Sequence, residues 1–230
     1  MYFYLIMLLQ PHQRTKLDNG DDQFFYDYPR FVTHVDDGFI QQLTDLYRQH
    51  LQPGFTILDL MSSWVSHLPE DIKFDQVVGH GLNAEELAKN PRFDECFVQN
   101  LNQELQLPQA DQTFDAVLIA VSVQYLQYPE AIFSEIHRVL KPGGVVIVSF
   151  SNRMFYQKAI QAWRDGTDAQ RVQLVRSYMG SVEGLSEPQV VSNQTPQSTL
   201  LSWMGLGGSD PFFAVVSRRL PAEQTAANEG

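Results

Sequence analysis

Residues 56–64 of this chain read TILDLMSSW. The stretch begins with apolar, β-forming residues and ends abruptly in small polar ones, which is typical of a short, fully buried strand. Further aliphatic runs follow, alternating with turns and helical patterns, and this alternation predicts a parallel sheet covered by helices on both faces. Ligands bind such sheets outside the carboxyl ends of the strands, where the strand order reverses. The residues from Asp59 to Trp64 are therefore predicted to form the floor of a ligand site.

The bulk composition limits the classes of function. The chain has 230 residues, 43% of them hydrophobic, and a formal net charge of −11. This size fits one α/β domain with additions, and the negative charge argues against binding to nucleic acid, whose phosphates require a basic surface. The single cysteine, Cys96, excludes an intramolecular disulfide and fits a reducing, cytoplasmic location. The six histidines do not fall at metal-site spacing, so we expect no metal.

The chain is predicted to have three parts. Residues 1–35 form an N-terminal segment and lid, residues 36–220 a single domain, and residues 221–230 a disordered tail. The apolar residues 1–9 are too few to span a bilayer, so we expect a loose segment without stable membrane insertion; packing on the domain or on a partner is the alternative. Residues 24–31, FFYDYPRF, are too rich in aromatic rings for a solvated linker. They either plug the domain's own core or form a lid over the ligand site.

The periodicity of the sequence places the elements of the domain. Helical spacing is found over residues 36–51 and in a helix that begins at Pro129. Strands are predicted at residues 56–60, 76–80, 96–99, 114–121 and 145–150. The polar residues 186–198 are predicted to be a loop, and residues 200–204 and 211–217 a final antiparallel hairpin that closes the edge of the sheet.

Two blocks in this series carry a family resemblance. Residues 114–117, FDAV, and residues 140–144, LKPGG, are separated by one helix. In this order they resemble the opening of the fourth strand and the turn before the fifth strand of class I S-adenosylmethionine-dependent methyltransferases, in particular the type 11 group. Residues 58–69 and 77–83 are also similar to an uncharacterised cyanobacterial and plastid-lineage subgroup. The resemblance implies an α/β fold with a Rossmann-like, doubly wound, mostly parallel seven-stranded sheet and an antiparallel C-terminal hairpin.

The same resemblance implies an enzyme that transfers the methyl group of S-adenosylmethionine to a small-molecule acceptor. The aromatic residues 24–31 favour an apolar or aromatic acceptor. A sulfonium methyl group is already activated, so the protein mainly supplies orientation and, for some acceptors, a base. A cofactor cradle is therefore expected and a catalytic triad is not. The implied cofactor-binding residues are Asp59, Met61, Ser62, Ser63, His80, Gly81, Leu82, Asn100, Leu101, Asn102 and Ser122.

Three positions of this cradle depart from the family pattern. Met61, Ser62 and Ser63 follow the retained Asp59 where the family has a glycine-rich loop. Gly81 stands where the family carries an acid that accepts both ribose hydroxyls, and the neutral substitutes nearby are His80 and Asn83. Residues 100–102, NLN, replace an acid near the adenine amine. Because a charge-assisted hydrogen bond is roughly twice as strong as a neutral one, losing the ribose acid would weaken binding by ~1–3 kcal/mol.

Several side chains allow two interpretations. Asp59 either faces the cofactor or caps the loop, and Trp64 either stacks on adenine or packs on the protein. His34 and His67 are general bases or structural histidines, and Arg30 would suit an anionic ligand. Gln124 and Tyr125, like Ser122, follow the fourth strand, where the family places ligand contacts. The altered cradle also leaves a second function open, a methyltransferase-like interaction or regulatory module that no longer binds the cofactor.

Overall fold

A computed structural model describes residues 8–193 and 209–221. Its centre is a seven-stranded sheet in the order β3-β2-β1-β4-β5-β7-β6. The strands are β1 (Thr56–Asp59), β2 (Gln76–Gly81), β3 (Glu95–Val98), β4 (Phe114–Ala120), β5 (Leu140–Phe150), β6 (Gln189–Asn193) and β7 (Phe212–Arg218). The helices are α1 (Asp22–Tyr26), α2 (Asp37–His50), α3 (Ala84–Ala88), α4 (Pro129–Val139), α5 (Gln161–Arg164) and α6 (Asp168–Gly180), with short 3-10 turns at Pro11–Arg14 and Val123–Tyr125.

The strand pairing confirms the predicted fold class. Strands β1 to β5 run parallel, and β7 pairs antiparallel with both β5 and β6. The order reverses between β1 and β4, because the chain first builds outward through β2 and β3 and then returns to the other side of β1. In an open α/β sheet this reversal leaves a crevice at the carboxyl ends of the two central strands.

Successive residues of the central strands point to opposite faces of the sheet and build two cores. Ile57 belongs to a cluster with Phe39, Leu43 and Tyr47 of α2. Leu58 belongs to the cluster on the other face, which includes Phe133 of α4 and Tyr178 of α6. All of these side chains are fully buried. The sheet is therefore covered on both faces, as the near-continuous aliphatic runs of its strands predict.

The two predicted helices have the expected boundaries and causes. In α2 the Oδ1 atom of Asp36 accepts a hydrogen bond of 2.8 Å from the backbone N–H of Phe39, which caps the first turn. In α4 Pro129 occupies the first turn, where its missing N–H has no partner to lose. The apolar side chains of both helices face the sheet, so amphipathic spacing alone was sufficient to place them.

The C-terminal hairpin differs from its prediction. The partner of β7 is Gln189–Asn193, which lies inside the stretch predicted to be a polar loop. Residues 200–204, predicted to be that partner, lie outside the described residues. Because β6 is an edge strand with Val190 41% exposed, it does not need a continuous apolar run. Because its sequence contains polar residues, the strand was predicted to be a loop.

The described part of the N-terminal segment, residues 8–35 (the N-terminal arm), is held against the domain. Leu9 is buried in the core, and the buried guanidinium of Arg14 pairs with Glu130 of α4. The prediction of a loose start is therefore wrong for Leu9, and the alternative of packing on the domain is correct there. Among the helices of residues 8–193 and 209–221, none is long and apolar enough to cross a membrane.

Candidate active site

A cavity of about 660 Å³ opens at the carboxyl ends of β1, β2 and β4. Its volume lies within the range of roughly 300–1,000 Å³ typical of small-molecule sites. The N-terminal arm and residues 152–156 form the rest of its wall. All of the predicted cofactor-binding residues line it: Asp59, Met61, Ser62, Ser63, His80, Gly81, Leu82, Asn100, Leu101, Asn102 and Ser122. Of the predicted floor, residues 59–64, all but Leu60 line this cavity, and the cofactor role of each residue stays a prediction.

Asp59 ends β1 at the bottom of this cavity and is only 2% exposed. Its Oδ2 atom accepts a hydrogen bond of 2.9 Å from Ser62 Oγ. Burial raises the pKa of this carboxyl to about 7, although hydrogen bonds from Ser66 and Ser62 oppose the shift. Asp59 therefore both caps the loop and faces the cavity, and near neutral pH a cation in the cavity would favour its charged form.

Three residues that line the cavity have left-handed backbone. His67 has φ +52°. Met61, in the loop after β1, has φ +59°, and Val121, directly after β4, has φ +55°. This region favours glycine and is strained for a β-branched residue such as valine. Met61 thus adopts a backbone conformation that glycine would adopt without strain. Backbone strain of this kind is concentrated at functional sites.

His80 is fully engaged by the backbone and is not a free ribose ligand. Its Nδ1 atom accepts from the backbone N–H of Met61 at 3.0 Å, and Nε2 donates to the carbonyl of Gln99 at 2.9 Å. Burial lowers its pKa to about 4, so the ring is neutral at physiological pH. Both ring nitrogens are therefore occupied in this structure, which supports the structural interpretation of His80 over a ribose contact.

The side-chain amides of three asparagines, which were predicted to replace the family's acids, bind the N-terminal arm. The Nδ2 atom of Asn83 donates to the carbonyl oxygens of Tyr26 and Asp27, at 2.8 and 3.1 Å. Asn100 donates to Asp21 at 3.1 Å, and Asn102 donates to Asp22 at 2.9 Å. These side chains line the cavity, but their donors hold α1 in place.

Glu86, one turn into α3, is a cavity carboxylate that the sequence analysis missed. It is 7% exposed. Oε2 accepts from Ser63 Oγ and Oε1 accepts from the backbone N–H of Arg30, both at 2.6 Å. The only sequence signal was an acid in the first turn of a helix, a position where acids are common.

Aromatic rings form the wall on the side of the arm. Phe25 and His34 make edge contacts with Phe155, each with ring centroids 5.3 Å apart, and Tyr125 stacks on Phe155 at 6.2 Å. The Arg30 guanidinium lies 4.7 Å from the Phe25 centroid. From the aromatic stretch itself, the ring that lines the cavity is that of Tyr26, while Phe24 and Tyr28 are at least 80% exposed.

Trp64 does not fill the crevice. Its indole Nε1 donates to the carbonyl of Val32 at 3.2 Å, and its ring makes an edge contact with Phe31 at 6.2 Å. Both partners belong to the N-terminal arm, so the ring packs on the protein in this structure, and stacking on adenine stays a prediction. The indole is one wall of the cavity and leaves its volume open.

The remaining polar predictions differ in position. Ser122 Oγ and Tyr125 lie on the cavity, and this Oγ atom is buried without a hydrogen-bond partner in the described chain. Gln124 is not part of the lining; it donates to the carbonyl of Val121. His34 and His67 both line the cavity, and burial lowers the pKa of each. Within the described ranges no group of three or more His, Cys, Asp or Glu side chains is arranged to hold a metal.

These observations fit a nucleoside cofactor with a cationic centre. The cavity is large enough, it contains the carboxyl groups of Asp59 and Glu86, and the unpartnered hydroxyl of Ser122 provides a free hydrogen-bonding group. The acid that the family carries after the second strand is not restored by His80 or Asn83. Glu86 is the carboxylate nearest in sequence that the cavity offers instead.

Comparison with known proteins agrees with the fold. Residues 62–148 match the family model described as a methyltransferase domain. A demethylmenaquinone methyltransferase from Clavibacter sepedonicus is 32% identical over 127 residues, which cover 54% of this chain and 50% of the relative. The chain therefore spans about half the length of this relative.

Solved structures show the fold alone at these identities. A structure of an S-adenosylmethionine-dependent methyltransferase from Aquifex aeolicus has a TM-score of 0.54 and 15% identity, covering 86% of this chain and 97% of that one. The structure of the [4+2]-cyclase SpnF has a TM-score of 0.53 and 17% identity, covering 78% and 81%. Residues 62–148 of this chain are therefore similar to a methyltransferase domain, and the sheet around them has the fold of the solved S-adenosylmethionine-dependent methyltransferase structure.

Proposed function

We propose that the protein binds S-adenosylmethionine in the 660 Å³ cavity and transfers its methyl group to a small-molecule acceptor. The observation that carries the proposal is the loop after β1. It has left-handed Met61 where a glycine is usual, a buried carboxyl at Asp59, and a match to the methyltransferase domain that begins at Ser62.

The chemistry asks for positioning more than for covalent participation. When bound, S-adenosylmethionine supplies a methyl group on a cationic sulfonium, which is already a good leaving group. Asp59 and Glu86 place negative charge in a cavity of low dielectric, and this charge favours a cationic ligand. The walls exclude water and hold the acceptor in line with the methyl group, and proximity of this kind contributes several orders of magnitude in rate.

The aromatic wall supports an apolar or aromatic acceptor. Tyr26, Tyr125 and Phe155 present ring surface to the cavity, and such surfaces favour planar, apolar ligands. His34 lies on the same wall with a pKa lowered by burial, so it is neutral near pH 7 and able to accept a proton from the acceptor. The acceptor named for the Clavibacter relative, demethylmenaquinone, is compatible with this class.

Calorimetric titration with S-adenosylhomocysteine tests the cofactor assignment. We expect micromolar binding to the wild type and weaker binding to Asp59→Ala. A screen of aromatic hydroxy compounds with radiolabelled S-adenosylmethionine then tests transfer. A folded protein that gives no heat with millimolar S-adenosylhomocysteine would contradict the proposal.

One observation favours a second function, a non-catalytic module. The donors of Asn83, Asn100 and Asn102 are engaged by the N-terminal arm, so the arm occupies partners that a nucleoside would otherwise have. In that case the arm would be a permanent plug and the cavity a remnant. Removing the arm's anchor distinguishes the two functions, because a plug prevents nucleoside binding until it is displaced, whereas a lid contributes to binding. The predicted cytoplasmic location stays a prediction.

A further inference from the structure

We infer that Glu86 is the ribose ligand of this protein and accepts hydrogen bonds from the two vicinal hydroxyls of the cofactor's sugar. The inference rests on the proposed function, because it assumes a nucleoside in the cavity. A vicinal diol offers two adjacent O–H donors, and a carboxylate with two oxygens is their natural bidentate acceptor.

The other two carboxyl groups of the cavity are already committed. Asp22 accepts from Lys16 Nζ at 2.6 Å and from Asn102 Nδ2 at 2.9 Å, and its Oδ1 atom lies 3.3 Å from Lys158 Nζ. Asp59 accepts from Ser62 and is almost completely enclosed. Neither carboxyl presents a free pair of oxygens to a diol.

Glu86 has the capacity that they lack. An ionised carboxylate has about four lone-pair sites, and each oxygen of Glu86 accepts one hydrogen bond in the structure. About one site on each oxygen therefore stays open, and the residue lines the cavity. Its two present donors, Ser63 Oγ and the Arg30 backbone N–H, belong to two different segments and bind different oxygens, so the carboxylate is held in position before a ligand arrives. Because the side chain is already ordered, ligand binding loses less conformational entropy and is correspondingly tighter.

The neighbouring backbone explains why the acid is on the helix. A Cβ at Gly81 would lie 2.5 Å from the carbonyl oxygen of Ser62, so the end of β2 has no room for a side chain. Glu86 reaches the same cavity from the first turn of α3, and Ser63, next to Ser62, is one of its donors. The loop after β1 thus leaves no room for an acidic side chain at residue 81, and through Ser63 it binds the Glu86 carboxylate that we place in that role.

The test measures preference for the diol and needs no methyl acceptor. Adenosine and 2′,3′-dideoxyadenosine are titrated into the wild type, Glu86→Gln and Glu85→Gln. We expect the wild type to bind adenosine about tenfold more tightly than the dideoxy compound, because two charge-assisted hydrogen bonds are lost. Glu86→Gln should reduce this ratio to about twofold, since an amide offers one acceptor oxygen. Glu85 is exposed on the same turn, so Glu85→Gln controls for the change in charge.

The ratio separates this role from a structural one. Loosening of the arm through the Arg30 contact would weaken both nucleosides equally and leave the ratio unchanged. An unchanged ratio in Glu86→Gln, with the wild type binding S-adenosylhomocysteine, overturns the ribose role and leaves the proposed function intact. Failure of the folded wild type to bind either nucleoside or S-adenosylhomocysteine overturns both.

Discussion

The carbonyl oxygen of Ser62 lies 2.5 Å from the position that a Cβ of residue 81 would occupy. The Ser62 backbone N–H also donates to the carbonyl of His80, so the loop after β1 and the end of β2 interlock. A backbone atom cannot move aside as a flexible side chain does. The two segments approach so closely that position 81 must be glycine. The absence of an acid there follows from the path of the loop after β1.

Restoring the family's acid at this position should therefore damage the protein. We expect Gly81→Asp to lower the free energy of unfolding by about 2–4 kcal/mol, through overpacking against the Ser62 carbonyl. It should also weaken S-adenosylhomocysteine binding. Denaturant unfolding and calorimetry measure the two effects. Gly180→Ala is the matched control, because a Cβ there meets nothing within 4 Å and should leave stability unchanged or slightly raised. Tighter binding in Gly81→Asp would show that the loop yields.

The raised pKa of Asp59 predicts a stability that depends on pH. Because the folded pKa is about 7 and the ordinary value is 3.8, the folded state binds more protons between these values. The free energy of unfolding therefore falls as pH rises through that interval. Above it, the ionised, buried carboxyl destabilises the protein by a constant amount. We expect Asp59→Asn to be more stable than the wild type by about 1–3 kcal/mol at about pH 8, with little difference at about pH 4.

The difference between these two proteins is the quantity to measure by denaturant unfolding across pH. His80 acts in the opposite direction, since its pKa is lowered from 6.5 to about 4 and its contribution to stability grows as pH rises between these values. His80 is present in both proteins, so subtraction removes its contribution. A difference that does not change with pH would show that folding leaves the pKa of Asp59 unshifted.

Cofactor binding should be linked to the same proton. A cationic ligand favours the charged form of Asp59, so it lowers the pKa of that carboxyl and releases a proton on binding. We expect S-adenosylmethionine affinity to increase about tenfold from about pH 6 to about pH 8, and Asp59→Asn to lose this dependence. Titration in two buffers of different ionisation enthalpy measures the proton released. An equal heat in both buffers at about pH 7 would refute the linkage.

The anchor of the N-terminal arm can be tested with two acids that share one lysine. Asp22 is 6% exposed and lies between Lys16 and Lys158, whereas Asp18 reaches Lys158 from a more exposed position, at 3.0 Å. Breaking a buried pair leaves a buried charge without compensation, and an exposed pair contributes little. We expect Asp22→Asn to accelerate amide hydrogen exchange in residues 10–35 by more than tenfold, about 1.4 kcal/mol or more, and Asp18→Asn to change it little. Exchange in β4 and β5 should be unaffected in both variants.

The buried strands could be predicted from the sequence, because a strand that is buried on both faces is a nearly continuous run of aliphatic residues. The aliphatic runs of β4 and β5 are buried along most of their length, and each was predicted as a strand. Strand β6 was missed because it lies at the edge, where Gln189 and Ser192 are tolerated on an exposed strand. Local composition does not distinguish such a strand from a loop.

The position of the site was predictable, whereas its hydrogen bonds were not. The residues after β1, β2 and β4 had to meet, because parallel strands end at the same edge of the sheet. The partners of Asn83 and Asn100 lie in the arm, 57 and 79 residues away along the chain, and no spacing rule indicates them. Glu86 was hidden for a related reason, since acids are common in the first turn of any helix.

The position of α1 over the cavity has a kinetic consequence. Asp21 and Asp22 tie this helix to Asn100 and Asn102, which are themselves cavity residues. If the arm acts as a lid, we expect a nucleoside to displace the helix when it enters and again when it leaves. Release of spent cofactor would then limit the proposed reaction, and the first turnover should be observed as a burst ahead of a slower steady rate.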